Sequence, residues 1–360
     1  MRESFKRHLE HLRTQVNTDQ EENPLLELQK QKQQRMLELK DQIRAIERNE
    51  SFNPNTPHLW RVQGDSSGIY LAQDEHGNTQ EISKGDILTD FSWGIGYILD
   101  PDTTPRLLRK EYAIALARYE ILQLTNRQIL MEESRGIGPG SASFAAIREH
   151  HEAGSWDLGH QAEVFVTNYL KKIVIDHNIP LEILDVDVFE DVEDKIDFIV
   201  QTKQYTRGVG VEIDASDNAP AFAVQFTLMD RKNQVLNKQE IMRNALFERG
   251  IRGDVRIDDA VLLYLNERYV RRAIGKWKHK RLSPNSSSPP PGGPETLFES
   301  RGQKELLHRL LDSILGVEYV DELCMKLGVA DSKPVSDHRN EPRSKKMLRR
   351  KEKKLHKKTM

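Results

Sequence analysis

The chain is nearly without cysteine and has no long apolar run. Cys324 stands alone among 360 residues, which excludes an intramolecular disulfide framework and any cysteine-rich zinc site. The longest interior apolar stretches, such as AVLLYL at 260–265, fall far short of the roughly 20 residues that a membrane-spanning helix needs. The N-terminus, MRESFKRHLEHLR, carries no apolar signal segment. These absences lead to the expectation of a cytoplasmic protein in a reducing compartment, with no membrane partner. The chain is also poor in core-forming residues, at 37% hydrophobic and 31% charged, so extended helix, linker and tail are expected to take a sizeable share of it.

The formal charge of −2 conceals an asymmetry. Residues 343–358 hold ten Lys or Arg against one acid, a net +9 that leaves the remainder near −11. The near-neutral total therefore does not argue against a polyanionic partner. This tail, including Arg350 and Lys351, is expected to bind nucleic acid through counterion release.

The segmentation follows from composition. In residues 1–50, Phe5, Leu9, Leu12 and Val16, and then Met36, Leu39, Ile43 and Ile46, recur at helical spacing, predicting a helical or coiled-coil arm that packs as a hairpin or pairs with a partner or second copy. Residues 51–103 are broken by Pro and Gly into short runs such as HLWRVQ and GIYLAQ, with DEHGN a turn between strands, and predict a small β-module. Its Trp60, Tyr70, Phe91, Trp93 and Tyr97 are read either as its core or as a ligand-binding surface. Linking helices are expected over 104–154, and an α/β domain over 155–282. SPNSSSPPPGGP at 283–294 reads as a flexible linker, 295–330 as a helical element, and 331–360 as a disordered basic tail.

The chemistry concentrates in the α/β domain. In HQAEVFVTNYLKKIVIDH, Glu163 borders the apolar stripe of Ala162, Val166, Tyr169, Leu170 and Ile173. Asp197 interrupts the apolar run of KIDFIV, where an unpaired carboxylate is costly, so it must meet water, a cation or a partner. In FAVQFTL, the strand period of two puts Gln225 and Thr227 on one side and Phe222, Val224, Phe226 and Leu228 on the other. The order of elements is helix, three or four strands, helix, strand.

With these polar residues in this order, residues 155–270 resemble the PD-(D/E)xK nuclease superfamily as a divergent or degenerate member. The resemblance implies a restriction-endonuclease-like mixed sheet flanked by helices, and Mg²⁺-dependent hydrolysis of phosphodiesters in nucleic acid. Glu163 matches the family's helix acid and Asp197 its strand aspartate. Gln225 and Thr227 stand where the acid and the lysine of the acid-x-lysine pair belong. On this basis Glu163, Asp197 and Gln225 are the expected metal ligands. Lys238, or Lys232, would replace the missing lysine from the following helix. A second alignment takes Glu212 as the strand acid but places Asp214 where the lysine is wanted. The alternative is an inactive nuclease-like fold that binds nucleic acid or protein.

Two further features complete the reading. Residues 268–281 gather Arg268, Arg271, Arg272, Lys276 and Lys278 around Tyr269 and Trp277, a helix suited to phosphates and base stacking or, equally, one docked on the core by its apolar side. The acidic run Glu190, Asp191, Glu193 and Asp194 reads as a solvated turn or a site for a second divalent ion.

Overall fold

The computed structural model describes residues 30–39, 41, 60–64, 69–134, 158–188, 191, 196–203, 219–228, 257–280 and 289–329. Most of the N-terminal arm, the basic tail with Arg350 and Lys351, Lys232 and Lys238, and the strand read around Glu212 lie outside the described residues. Two compact units divide the chain, Met1–Phe298 and Glu299–Met360.

The first unit contains two four-stranded mixed sheets with helices and is an α/β structure. The first sheet joins β1 (Trp60–Gly64), β2 (Tyr70–Gln73), β3 (Thr79–Ile82) and β4 (Tyr97–Leu99) in the order β3-β2-β1-β4, with β1 and β4 parallel. Asp74 shapes the β2–β3 turn by accepting from the backbone N–H groups of His76 and Asn78 at 2.9 and 2.8 Å, as an aspartate at a turn start does. A short helix, α1 (Lys84–Thr89), follows. It opens on a capping box in which Ser83 and Asp86 satisfy each other's backbone N–H. A single 3₁₀ turn over Asp90–Trp93 then leads to β4. Trp60, Val62, Ile87, Ile95 and Tyr97 are buried in this module's core, which settles most of its aromatics as packing residues.

The long helix α2 (Arg106–Ser134) precedes α3 (Leu158–Asp176). Helix α3 is buried on more than one side. Ala162, Phe165, Val166, Tyr169, Leu170 and Ile173 supply the apolar stripe, and Thr167, Asn168 and Lys172 are buried as well. The second sheet runs β5 (Leu181–Asp185), β6 (Phe198–Thr202), β7 (Ala221–Leu228) and β8 (Asp259–Leu265) in that order. The β5–β6 and β6–β7 pairs are antiparallel; β7 and β8 are parallel, with Gln225 opposite Leu262. Helix α3 packs against β5 and β7. Helix α4 (Glu267–His279) follows β8, capped by the Asn266 side chain on the N–H of Arg268 at 2.9 Å.

The stretch read as a flexible linker departs from that expectation in its second half. Residues 290–295 are buried and form a strap across the first sheet and α3. Proline has no N–H, so consecutive prolines leave carbonyls that no regular ladder satisfies, and side-chain donors must meet them. Trp60 Nε1 donates to the Pro289 carbonyl at 3.3 Å, Trp277 Nε1 to Pro290 at 3.0 Å and Gln80 Nε2 to Pro291 at 2.9 Å. Gly293, at φ 63°, occupies a conformation that favours glycine, and a Cβ there would fall 2.2 Å from Glu295 Oε2.

The strap closes over a buried ionic cluster. Lys172 Nζ lies 2.8 Å from Asp86 Oδ1, 2.8 Å from Asp90 Oδ1 and 3.1 Å from Glu295 Oε2, and donates to the Gly292 carbonyl at 2.7 Å. Asp90 also accepts from the Gly292 N–H at 2.7 Å and from the Tyr97 hydroxyl. Glu295 accepts from Trp93 Nε1 at 2.7 Å. Gly85 lets α1 approach α3, since a Cβ there would sit 2.8 Å from Lys172 Cα.

In the second unit, α5 (Ser300–Leu315) and α6 (Val317–Lys326) bury Leu306, Leu307, Leu310 and Leu311 together with Val320, Leu323 and Cys324.

Three carboxyls share one lysine here, and burial raises Asp90 above the usual carboxylate range and pushes Glu295 from 4.5 up to about 7. A carboxyl raised in the folded state binds its proton more tightly there than in the unfolded chain. Its contribution is therefore fully present below pH 4.5 and is lost as pH rises through about 7. Glu295→Gln is expected to flatten the pH dependence of unfolding free energy across that window, read by urea denaturation. Lys172→Met leaves three buried acids without a cation and is expected to cost about 3–5 kcal/mol at neutral pH. Adding Asp90→Asn should recover part of that loss.

Candidate active site

A cavity of about 390 Å³ lies in the first unit. Helix α3 supplies Glu163 and Lys171, the end of β5 supplies Asp185, and the segments beyond it supply Asp191 and Asp197. Glu163 is half-buried on the α3 surface, with its Oε2 3.5 Å from His160 Nδ1 one turn earlier. Asp197 immediately precedes β6. Its backbone N–H donates to the Val224 carbonyl at 2.9 Å, and its carboxylate accepts from the Phe226 N–H. The aspartate thus stands in for a backbone acceptor where the β6–β7 ladder ends, which fixes it at the mouth of the sheet.

The electrostatics mark this corner as the acidic pole of the cavity. Asp197 is raised well above the usual carboxylate range, first by burial, then by the charges of Glu163 and Asp191 and by a hydrogen bond from its carboxyl to Asp191. Two carboxyls can share a hydrogen bond only if one of them is protonated. Nearby, Lys171 Nζ lies 2.6 Å from both oxygens of Asp185.

Of the residues singled out by sequence, Glu163 and Asp197 line this cavity together. Gln225 is buried on β7, adjacent in the chain to the Phe226 amide that binds Asp197, but is not part of the cavity lining. The third acid beside Glu163 and Asp197 is Asp191, from the run read chiefly as a solvated turn. Among the described residues no group of three or more His, Cys, Asp or Glu side chains is gathered as a metal-binding cluster.

Helix α4 is amphipathic along its length. Arg268, Arg271, Arg272, Lys276 and Lys278 are exposed, whereas Val270, Ala273, Ile274 and Trp277 are buried. Trp277 packs 5.6 Å from Trp93 and belongs to the core of the first sheet, which corrects its reading as a base-stacking surface residue. Arg271 pairs with Glu267. Lys278 Nζ lies 3.1 Å from Gln161 Oε1, and Gln161 lines the cavity, so the cationic face reaches the cavity rim. No helix among the described residues is long and apolar enough to cross a membrane.

Comparison with family models, curated proteins and solved structures finds no match to this chain.

The raised Asp197 carboxyl gives a direct test of the acidic pole. Its protonated form favours folding, so stability is lost as pH rises through its folded-state value. Asp197→Asn retains an acceptor for Phe226 N–H and adds a donor for Asp191. The variant is expected to be more stable than wild type at pH 8, with the gap closing as pH falls. Thermal melts at pH 8 and pH 5 check this.

Proposed function

We propose that residues 155–270 form a PD-(D/E)xK-like, restriction-endonuclease-like core that hydrolyses phosphodiesters in nucleic acid with Mg²⁺. The observation that carries this reading is the meeting of Glu163 from α3 with Asp197 from the start of β6 in one cavity. The order helix, three antiparallel strands and a parallel fourth strand supports it further.

A hard divalent cation would draw on the oxygens of Glu163, Asp191 and Asp197, which line one cavity. Glu163, Asp191 and Asp197 offer anionic oxygens, and their mutual repulsion is what a divalent charge relieves. Mg²⁺ would stabilise charge on phosphoryl oxygens and lower the pKa of an attacking water. In this reading Asp197 is held in place by the Phe226 N–H, and the proton it shares with Asp191 would pass to solvent water as the cation binds. Lys171 lies on the cavity wall paired with Asp185, and would supply the positive charge that Thr227 does not by exchanging that partner for a phosphate. Lys238 remains the proposed alternative. The exposed cations of α4 bind the flanking phosphates, and the tail around Arg350 and Lys351 adds contacts without sequence preference.

A second reading, a nuclease-like module that binds without cutting, is favoured by Gln225 standing where a strand acid is expected and lying outside the cavity lining.

Incubation of the full-length protein with single- and double-stranded DNA and RNA in Mg²⁺ or Mn²⁺ decides between them. Metal-dependent products are expected, and Asp197→Ala should abolish them while leaving salt-sensitive binding largely intact. Lys171→Met and Lys238→Ala identify which amine serves the reaction, by a loss of about 10²-fold or more in turnover. A wild-type preparation that yields no metal-dependent products from any of the four substrates favours the binding module.

A further inference from the structure

The cavity is larger than three carboxylates and an ion require. At about 390 Å³ it lies within the size range of small-molecule sites, and aromatic and amide side chains line it as well as acids. Phe91 from the 3₁₀ turn and Tyr119 from α2 line it with their rings 4.9 Å apart and inclined at 47°, together with Leu122. All three are half-buried. Gln123, one turn beyond Tyr119 on α2, lines the cavity, and its side chain has no hydrogen-bond partner among the described residues. Asn126 Oδ1 accepts from the Val188 N–H at 3.0 Å, and its amide NH₂ has no partner among the described residues. An aromatic ring face beside amide groups is what a nucleobase matches, through its own face and its edge respectively.

We infer that the cavity takes a single unstacked nucleotide. Its base lies against Phe91 and Tyr119 and its edge meets Gln123 and Asn126, while its phosphate stays with the cations at the cavity rim, because Glu163, Asp191 and Asp197 repel an anion unless a divalent cation lies between them. Neighbouring phosphates run out along α4 past Lys278, which is already tied to the cavity through Gln161. The inference rests on the nucleic-acid reading above and deepens it, because it names the substrate as a single strand, a frayed end or a displaced base. A base within a duplex is stacked and paired and enters such a cavity only after extrusion.

The test measures binding rather than cleavage. Full-length protein in EDTA is titrated with a labelled single-stranded oligonucleotide and with the matching duplex at two salt concentrations. Wild type is expected to prefer the single strand. Leu122→Trp, which fills the cavity, and Gln123→Ala, a change at a half-exposed site, are each expected to lower single-strand affinity about tenfold, in the range of one lost stacking or edge contact. Both should leave duplex affinity and salt slope unchanged. Arg268→Ala with Arg272→Ala should weaken both substrates and reduce both slopes. Matched melting temperatures confirm that the variants fold, and Gln123→Ala carries the test if Leu122→Trp does not. Equal affinity of wild type for the two substrates, or an equal loss on both in the cavity variants, overturns the inference. Because no metal is present, an absence of cleavage defeats only the hydrolytic reading, and single-strand preference can stand without it.

Discussion

The arrangement of the first unit depends on one ammonium group, Lys172 Nζ. It is buried on α3 and surrounded by Asp86 of the capped helix α1, Asp90 of the 3₁₀ turn and Glu295 of the strap. Burial alone would lower the lysine, but the three carboxyls override it and hold the amine well above its usual range. A buried ion cluster of this kind contributes little net stability compared with apolar packing, yet losing one member is expensive. Its effect is to fix geometry. Asp86 can cap α1 and bind Lys172 only if α1 lies across α3, and Gly85 makes that approach sterically possible.

That geometry sets the position of the cavity. The 3₁₀ turn that carries Asp90 to Lys172 also carries Phe91 to the cavity wall, and α3 presents Lys172 to the cluster and Glu163 to the acidic pole from different parts of its surface. The β-module, separated in sequence from the second sheet, thereby becomes part of the same concavity. Trp277 strengthens the connection by leaving the amphipathic helix α4 to complete the core of the first sheet. With its apolar side engaged there, the helix keeps its cations outward.

Much of this was legible from periodicity. The strand alternation in FAVQFTL and the apolar interruption at Asp197 identify a β-strand and a carboxylate that must be answered, and the answer is the Phe226 N–H and Asp191. The stripe Val270, Ala273, Ile274 and Trp277 allowed docking as readily as an exposed aromatic edge, and the side chain that decided it, Trp277, found a partner from a distant segment. Asp191 was hidden in an acidic run that looks solvated. The strap was least legible, because its Pro and Gly content describes a chain with few donors and says nothing of the three indoles and the amide that satisfy its acceptors. Nor does the pair Lys171–Lys172 announce that one amine faces the cavity and the other is enclosed.

The strap also imposes an order on folding during synthesis. Strands β1–β4, α3 and α4 all emerge from the ribosome before residues 289–295 do. Until then the indoles of Trp60 and Trp277 lack their proline acceptors, and Lys172 lacks Glu295 and the Gly292 carbonyl. The earlier segments can collapse and form strands in the usual vectorial manner. Their polar interior stays incomplete until the last part of the unit arrives, so a nascent chain acquires its strap and the third acid around Lys172 in the same step.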